Sequence, residues 1–416
     1  MLNKQLFNEL FSELTKIKFP YCIMNGYENY PNQIGSDIDI IVESIDNFFI
    51  VLKQLSCKLD FKIIQSLNHS FKTSNYYISK EFNEEVVILS LDVYQNYVVK
   101  ERLLFKSNYF LADKVLLKNF FIPSKRKEFL YYFIKKIIKQ DIDNKLDWLF
   151  SNYDKQVSFR SFFKNDYSNI ETAFQLKDKE YFSNNKEILL RDLLRSTNVS
   201  LILRFKNFIR LYKRIAYPTG LIISFLGPDG SGKSTIINIL KERSLPFRRI
   251  DYFHLKPAIL SRKGNGQTVI NPHEKKPYWG FLSYLKLGHF SLDYIFGYFI
   301  KILPLKIKSA LVIFDRYYDD LLVDPKRYRY GGSILFASMT RFFIPKPDLC
   351  FVLIADEDVI YKRKQEVELN ELTRQLKSYN SLIDGKQYVY IDVNREVNEI
   401  VNEIEKIIYN KMNERF

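Results

Sequence analysis

Nine consecutive residues, Gly227-Pro228-Asp229-Gly230-Ser231-Gly232-Lys233-Ser234-Thr235, satisfy the G-x-x-x-x-G-K-[ST] pattern of a phosphate-binding loop. The chemistry explains the spacing. Glycines let successive backbone N–H groups turn inward around an anion, and a helix opening near Lys233 adds the positive end of its dipole. Lys233 then reaches the β- and γ-phosphates of ATP, and Ser234 offers its hydroxyl to Mg²⁺. Further on, the apolar run Leu311-Val312-Ile313-Phe314 ends in Asp315-Arg316-Tyr317. A carboxylate at the end of such a strand sits near the metal and its water shell. The guanidinium beside it is a planar fork suited to grip a phosphate with two bonds. The expected cofactors are therefore ATP and Mg²⁺.

A second constellation lies near the N-terminus, in Gly35-Ser36-Asp37-Ile38-Asp39-Ile40-Ile41-Val42. Alternation along a strand puts Asp37 and Asp39 on one face, about 6–7 Å apart. Two carboxylates so placed can share a divalent metal pair, as phosphoryl-transfer sites require. Asp92, at the end of the apolar run Val86–Leu91, supplies a third.

These residues need elements to hold them. Residues 1–115 read as a mixed α+β domain: an amphipathic helix at Leu2–Ile17, strand-like runs at Tyr21–Met24, Ile38–Val42 and Val86–Val93, and a helical stretch at Ile45–Leu55. Residues 116–217 read as a helical region and linker, with apolar residues at three- and four-residue spacing over Lys125–Lys139 and Leu189–Ile215. Tyr217-Pro218-Thr219-Gly220 is a plausible stop. Residues 218–416 read as an α/β domain. Its continuous apolar runs at Leu221–Leu226, Ala310–Phe314 and Leu349–Ile354, with Tyr388–Asp392 as a fourth, are the pattern of a parallel sheet between helices. The expected fold is thus a doubly wound P-loop sheet preceded by an α+β domain and a helical linker. The helix after Leu349–Ile354 carries Lys362, Arg363, Lys364 and Glu366, followed by Arg374, cations that can close over phosphates.

The P-loop, Asp315-Arg316-Tyr317, Pro347-Asp348-Leu349 and Arg363-Lys364-Gln365-Glu366 together resemble the thymidylate kinase family over about residues 221–412. The resemblance implies that Asp229 approaches the acceptor's sugar, that Arg316 binds the acceptor's phosphate and that Arg363 belongs to a lid. The acceptor side departs from the family. Phe253-His254-Leu255-Lys256-Pro257 replaces its Arg-Glu-Pro-Gly turn, and Tyr318 to Gly332 replaces the stretch that contacts thymine. His254, Asp324, Lys326, Arg327 and Arg329 are the candidates for an altered acceptor site. The trio Asp37, Asp39 and Asp92 resembles the nucleotidyltransferase superfamily over about residues 15–115, although Tyr27 stands where that family has a small residue.

Composition bounds the rest. A formal charge of +15 points to anionic partners, and without a zinc-finger, RNA-binding or recognition-helix pattern no specific nucleic acid is expected. Cys22, Cys57 and Cys350 lie far apart, as buried reduced thiols in a cytoplasmic protein would. The charged N-terminus is not a signal peptide. Phe281–Leu305 is apolar but broken by Lys286, His289, Asp293 and Lys301, which fits a buried or membrane-surface helix rather than a spanning one. Its aromatic residues are expected mainly in the core, and a homodimer is compatible with the sequence. The functional expectation is a Mg-ATP-dependent kinase acting on a small phosphorylated or anionic acceptor, either a nucleoside monophosphate or, preferred, a non-dTMP acceptor such as a sugar or glycan intermediate. Thymidylate kinase proper is one alternative. The other is an ATP-binding regulatory protein with an inert nucleotidyltransferase-like domain.

Overall fold

The computed structural model describes residues 2–83, 85–260, 276–364 and 368–416. The chain divides into two compact units, Met1–Tyr212 with Met412–Phe416, and Lys213–Lys411.

In the first unit five strands, β1 (Tyr21–Ile23), β2 (Ile38–Val42), β3 (Lys62–Ser70), β4 (Thr73–Phe82) and β5 (Glu85–Tyr94), form a sheet in the order β1-β2-β5-β4-β3. Only the β2–β5 pair is parallel. The period of two along β1 and β2 sorts their side chains between two cores. Tyr21, Ile23, Ile38, Ile40 and Val42 pack with Leu6, Phe7 and Leu10 of the helix Leu2–Lys16 and with Phe48 and Leu52 of the helix Ile45–Leu59. Cys22, Met24 and Ile41 face the other way, into a core with Phe129, Phe133 and Ile137 of the helix Lys125–Lys139. The expected boundary near residue 116 thus falls inside one compact unit, because the helical region covers the second face of the sheet. Two hairpins, β6 (Asn96–Val99) with β7 (Arg102–Lys106) and β8 (Val115–Leu117) with β9 (Phe120–Ile122), complete its strands.

The second unit is a five-stranded, fully parallel sheet of β10 (Leu221–Leu226), β11 (Arg249–His254), β12 (Ala310–Asp315), β13 (Leu349–Ile354) and β14 (Tyr388–Asp392), in the order β11-β12-β10-β13-β14. Every residue of β10 and β12 is buried, as the centre of a sheet covered on both faces requires. Neither the pattern-poor edge strand β11 nor the hairpin β3–β4 stood out by apolar alternation, since Lys62, Asn68, His69 and Asp251 interrupt it.

Three expectations are corrected. Leu189–Ile215 is two helices, Lys186–Ser196 and Leu201–Ala216, because Thr197 turns extended and Val199 bridges to Arg102. Cys57 is exposed, whereas Cys22 and Cys350 are buried free thiols. The aromatic helix Gly280–Gly297 is split in its packing: Tyr294 is buried against Tyr317 and Tyr318, while Trp279, Phe281 and Phe296 are exposed. Among the described residues no helix is long and apolar enough to cross a membrane.

Candidate active site

The central strand β10 delivers the chain into the loop at Gly227, where φ is +145° and an added Cβ would lie 2.7 Å from the Leu353 carbonyl oxygen. Only glycine fits there. Gly232, at φ +83°, then caps the helix Lys233–Glu242, whose first turn points its free N–H groups back into the loop. Lys233 is buried, and its Nζ donates to the carbonyls of Gly227 (2.9 Å) and Pro228 (2.7 Å) and to Ser231 Oγ (3.2 Å). Burial, reinforced by the neighbouring Arg316 charge, lowers its pKa to about 7. An arriving triphosphate would restore the full charge.

The parallel pairing of β10 with β12 sets Asp315 beside Phe225, at the carboxyl edge where ligands bind in such sheets. Burial pushes the Asp315 pKa up, but His254, Lys233 and Arg316 outweigh it and hold the carboxyl below its usual range. Tyr252 Oη donates to Asp315 Oδ2 at 3.3 Å, and His254 Nδ1 lies 3.9 Å from the same atom. The other oxygen, Oδ1, is buried without a hydrogen-bond partner among the described residues. An unsatisfied, ionised carboxylate oxygen fits a water-carrying divalent cation, so the donor set of Ser234 and Asp315 suits Mg²⁺.

Arg316 has φ +71°, an unusual backbone for a side chain of its size, and it is held there from several sides. Its N–H donates to the Phe225 carbonyl (3.0 Å). Its Nη1 forks onto both carboxylate oxygens of Asp320 (2.9 and 2.8 Å), and its Nη2 pairs with Asp229 of the loop. Asp229 is bridged from the other side by Arg327. Asp320 is fully buried and also accepts from Tyr328 Oη (2.7 Å) and Tyr379 Oη. Burial favours its protonation, but Arg316 and the two phenols win and keep it ionised.

The cavity over the loop encloses about 510 Å³; Arg316, Arg327, Arg363, Lys364 and Arg395 bring cationic side chains to its wall. Asp229, Gly230, Ser231, Gly232, Lys233, Ser234 and Thr235 line it from below, with Asp315 and His254. Of the expected acceptor cluster, His254 and Arg327 line the cavity, and Arg327 also pairs with Asp229 of the loop. Asp324 caps the turn by accepting the Arg327 N–H (3.2 Å), and Arg329 stacks over Tyr278 at 4.0 Å and donates to the Lys276 carbonyl. Arg374 is engaged by Glu371 and the Val323 carbonyl rather than by the cavity. Gln365 and Glu366 lie outside the described residues. Asp320, Tyr328, Tyr379 and Arg395 were not expected from sequence. Asp320 lies four positions after Arg316, but Arg316 precedes the helix Tyr318–Val323 with φ +71°, so helical spacing gave no signal for the pair.

In the first unit the structure brings Asp37, Asp39 and Asp92 to the same face of the β2–β5 pair, with Asp39 and Asp92 directly opposite. They are joined through side chains. Ser90 Oγ donates to Asp37 (2.6 Å) and accepts from Asn75 Nδ2 (2.9 Å), which also donates to Asp92 (2.5 Å). Lys135 Nζ pairs with Asp39 at 2.7 Å, and Tyr94 Oη donates to it at 3.2 Å. Burial raises the Asp92 pKa to about 6; the Asn75 hydrogen bond opposes this, and Asp39 and Asp37 add to it. Among the described residues no three His, Cys, Asp or Glu side chains are gathered to hold a metal ion.

A buried P-loop lysine, a carboxylate at the end of the neighbouring strand and a paired arginine fork make the second unit a P-loop phosphotransferase. More narrowly, about 45% of the chain is thymidylate kinase-like. A protein named "Probable thymidylate kinase 1" from Saccharolobus solfataricus is 26% identical over 198 residues, covering 45% of this chain and 96% of its own. A "Probable thymidylate kinase" from Sulfolobus acidocaldarius is 27% identical over 201 residues, covering 46% and 98%. Among solved structures, the thymidylate kinase of Candida albicans covers 47% of this chain and 93% of its own, with 20% identity and a TM-score of 0.36. No protein-family model matches the chain.

Proposed function

We propose that the second unit transfers the γ-phosphoryl group of Mg-ATP to a nucleoside monophosphate. The observation that carries this reading is the convergence of Arg316 and Arg327 on Asp229, at the rim of the loop that holds Lys233. Two guanidiniums in that position match an acceptor phosphate, and Asp229 is left to meet a sugar hydroxyl once they turn to it. Lys233 exchanges its loop carbonyls for the phosphates and stabilises charge as it moves to the acceptor. Arg363 and Lys364 approach from above and exclude water. Ser234 and Asp315 would hold Mg²⁺, which when bound neutralises charge on the phosphate oxygens. The relatives are named for a nucleotide substrate, and a sugar or glycan acceptor draws no support from them.

The test is turnover of ATP with a panel of nucleoside monophosphates, including dTMP, by the full chain and its variants. Lys233→Ala is expected to lose about a hundredfold or more in kcat. Arg327→Ala is expected to raise KM for the acceptor while ATP affinity is retained. ATP binding with no phosphoryl transfer to any nucleoside monophosphate would sink the proposal.

For the first unit, the ion pair between Lys135 and Asp39 favours a second reading: a nucleotidyltransferase-like domain in which the ammonium supplies the charge that a cation would. On this reading the unit is catalytically inert. Saturable Mn²⁺ binding by the full chain, abolished by Asp37→Asn or Asp39→Asn, would overturn that reading in favour of carboxylates that ligate metal.

A further inference from the structure

The helix Leu201–Ala216 is amphipathic in the wrong sense for a helix on a protein surface. At about 100° per residue, Leu201, Phe205, Phe208, Tyr212 and Ile215 fall in one stripe. All five are exposed, at 75%, 66%, 69%, 69% and 55% of their surface, and Ile202, Ile209 and Leu211 widen the sector. No residue of the helix is buried. The polar side faces protein instead. Lys206 lies 4.5 Å over the Phe71 ring, Asn207 Oδ1 accepts the Phe71 N–H at 3.0 Å, and Arg210 donates to the Asn68 carbonyl at 2.7 Å. A surface helix of a soluble domain normally turns its apolar stripe inward. Here the β3–β4 turn holds the charged side and presents the apolar side outward.

Charge decides what that side meets. From Leu193 to Pro228 the chain has six Arg and Lys residues and no Asp or Glu. Arg204 and Lys213, both exposed, flank the apolar sector on opposite edges. A second copy packed helix to helix about a two-fold axis would set these cationic edges against each other with no carboxylate on either helix to offset them. An anionic bilayer supplies the missing charge. Apolar and aromatic side chains enter the headgroup boundary, and flanking cations remain at the phosphate level.

We propose that this helix docks the protein flat on an anionic lipid surface. At 1.5 Å per residue it is about 24 Å long, which suits lying on a membrane rather than crossing one. The proposal is independent of the phosphoryl acceptor.

Flotation of the full chain with phosphatidylcholine vesicles, with and without phosphatidylserine, tests it. Binding is expected only with phosphatidylserine, weakening as salt rises. Phe205→Ser and Phe208→Ser should each reduce affinity about tenfold or more, because each removes a ring from the apolar sector. Arg204→Glu with Lys213→Glu should abolish the phosphatidylserine preference. All these side chains are exposed, so melting temperature and kinase turnover should be unchanged, which separates lost docking from lost folding. Absence of phosphatidylserine-dependent binding would overturn the proposal. So would a dimer in lipid-free solution that Phe208→Ser dissolves, since a second copy would then cover the face.

Discussion

At the scale of single residues, the buried Asp320 and the half-buried Asp92 have opposite electrostatic circumstances and predict opposite outcomes. Asp320 is ionised because Arg316, Tyr328 and Tyr379 surround it. Asp320→Asn removes the carboxylate on which Arg316 Nη1 forks and leaves that buried guanidinium to Asp229 alone; it is expected to cost about 3 kcal/mol, read by chemical denaturation. A neutral result would mean that Asp229 alone compensates the Arg316 charge. Asp92 has only His69, with Nε2 3.9 Å away, and the Lys135 charge that Asp39 already pairs with, and these do not outweigh its burial. Its carboxyl ionises near 3.8 when unfolded and near 6 when folded, so the folded protein holds a proton that the unfolded chain has already lost. Its stabilising contribution is complete below about pH 4 and is lost as pH rises through 6. Asp92→Asn should therefore raise stability by about 1–2 kcal/mol at pH 7.5 and leave it unchanged near pH 4, allowing for partial solvent exposure. A pH-independent difference would contradict this. The P-loop residues were legible in the sequence because their roles depend on nine adjacent positions. Arg327 and Asp320 were less so: one meets Asp229 across 98 positions, and the other works inside a network that only the fold assembles.

At the scale of elements, the loop between β10 and its helix depends on two glycines for different reasons. Gly227 needs both an unusual φ and space beside Leu353, whereas Gly232 needs only the φ, with nothing within 4 Å of an added Cβ. Gly227→Ala should cost about 3 kcal/mol or more and Gly232→Ala about 1 kcal/mol, measured as the difference in unfolding free energy. Equal losses would show that the Leu353 contact yields. Strands buried on both faces, such as β10 and β12, announced themselves as unbroken apolar runs. The β3–β4 hairpin did not, because polar residues such as Gln65, Ser74 and Asn75 occupy buried positions there, Ser74 donating to Asn68 and Asn75 to Ser90 and Asp92 across the sheet. The break at Thr197–Ser200 was equally hidden. Ser200 donates to the Glu101 carbonyl, a contact set by tertiary structure in a segment whose apolar spacing continues the helix.

At the scale of the whole molecule, the proposed nucleotide site lies within Lys213–Lys411. A nonhydrolysable ATP analogue with Mg²⁺ at a hundred times its Kd should stabilise by about 2.7 kcal/mol. Hydrogen exchange should slow around 227–235 and 310–316, and remain unchanged in the β2–β5 region of the first unit. Equal protection in both regions would show that the first unit also takes up nucleotide. The division itself was only partly legible. The linker near Tyr217–Gly220 is marked by Pro and Gly, but no local signal shows that Phe129 and Phe133 belong with Cys22 and Ile41, about a hundred positions earlier.

The double bridge to Asp229 also bears on how the enzyme idles. Arg316 and Arg327 are both paired with one internal carboxylate, so on the proposed reaction an acceptor phosphate must compete with Asp229 for them. Only a molecule that brings its own dianion can draw them away. If the proposed transfer holds, the same contact acts as an interlock, released only by a molecule that competes with Asp229 for both arginines.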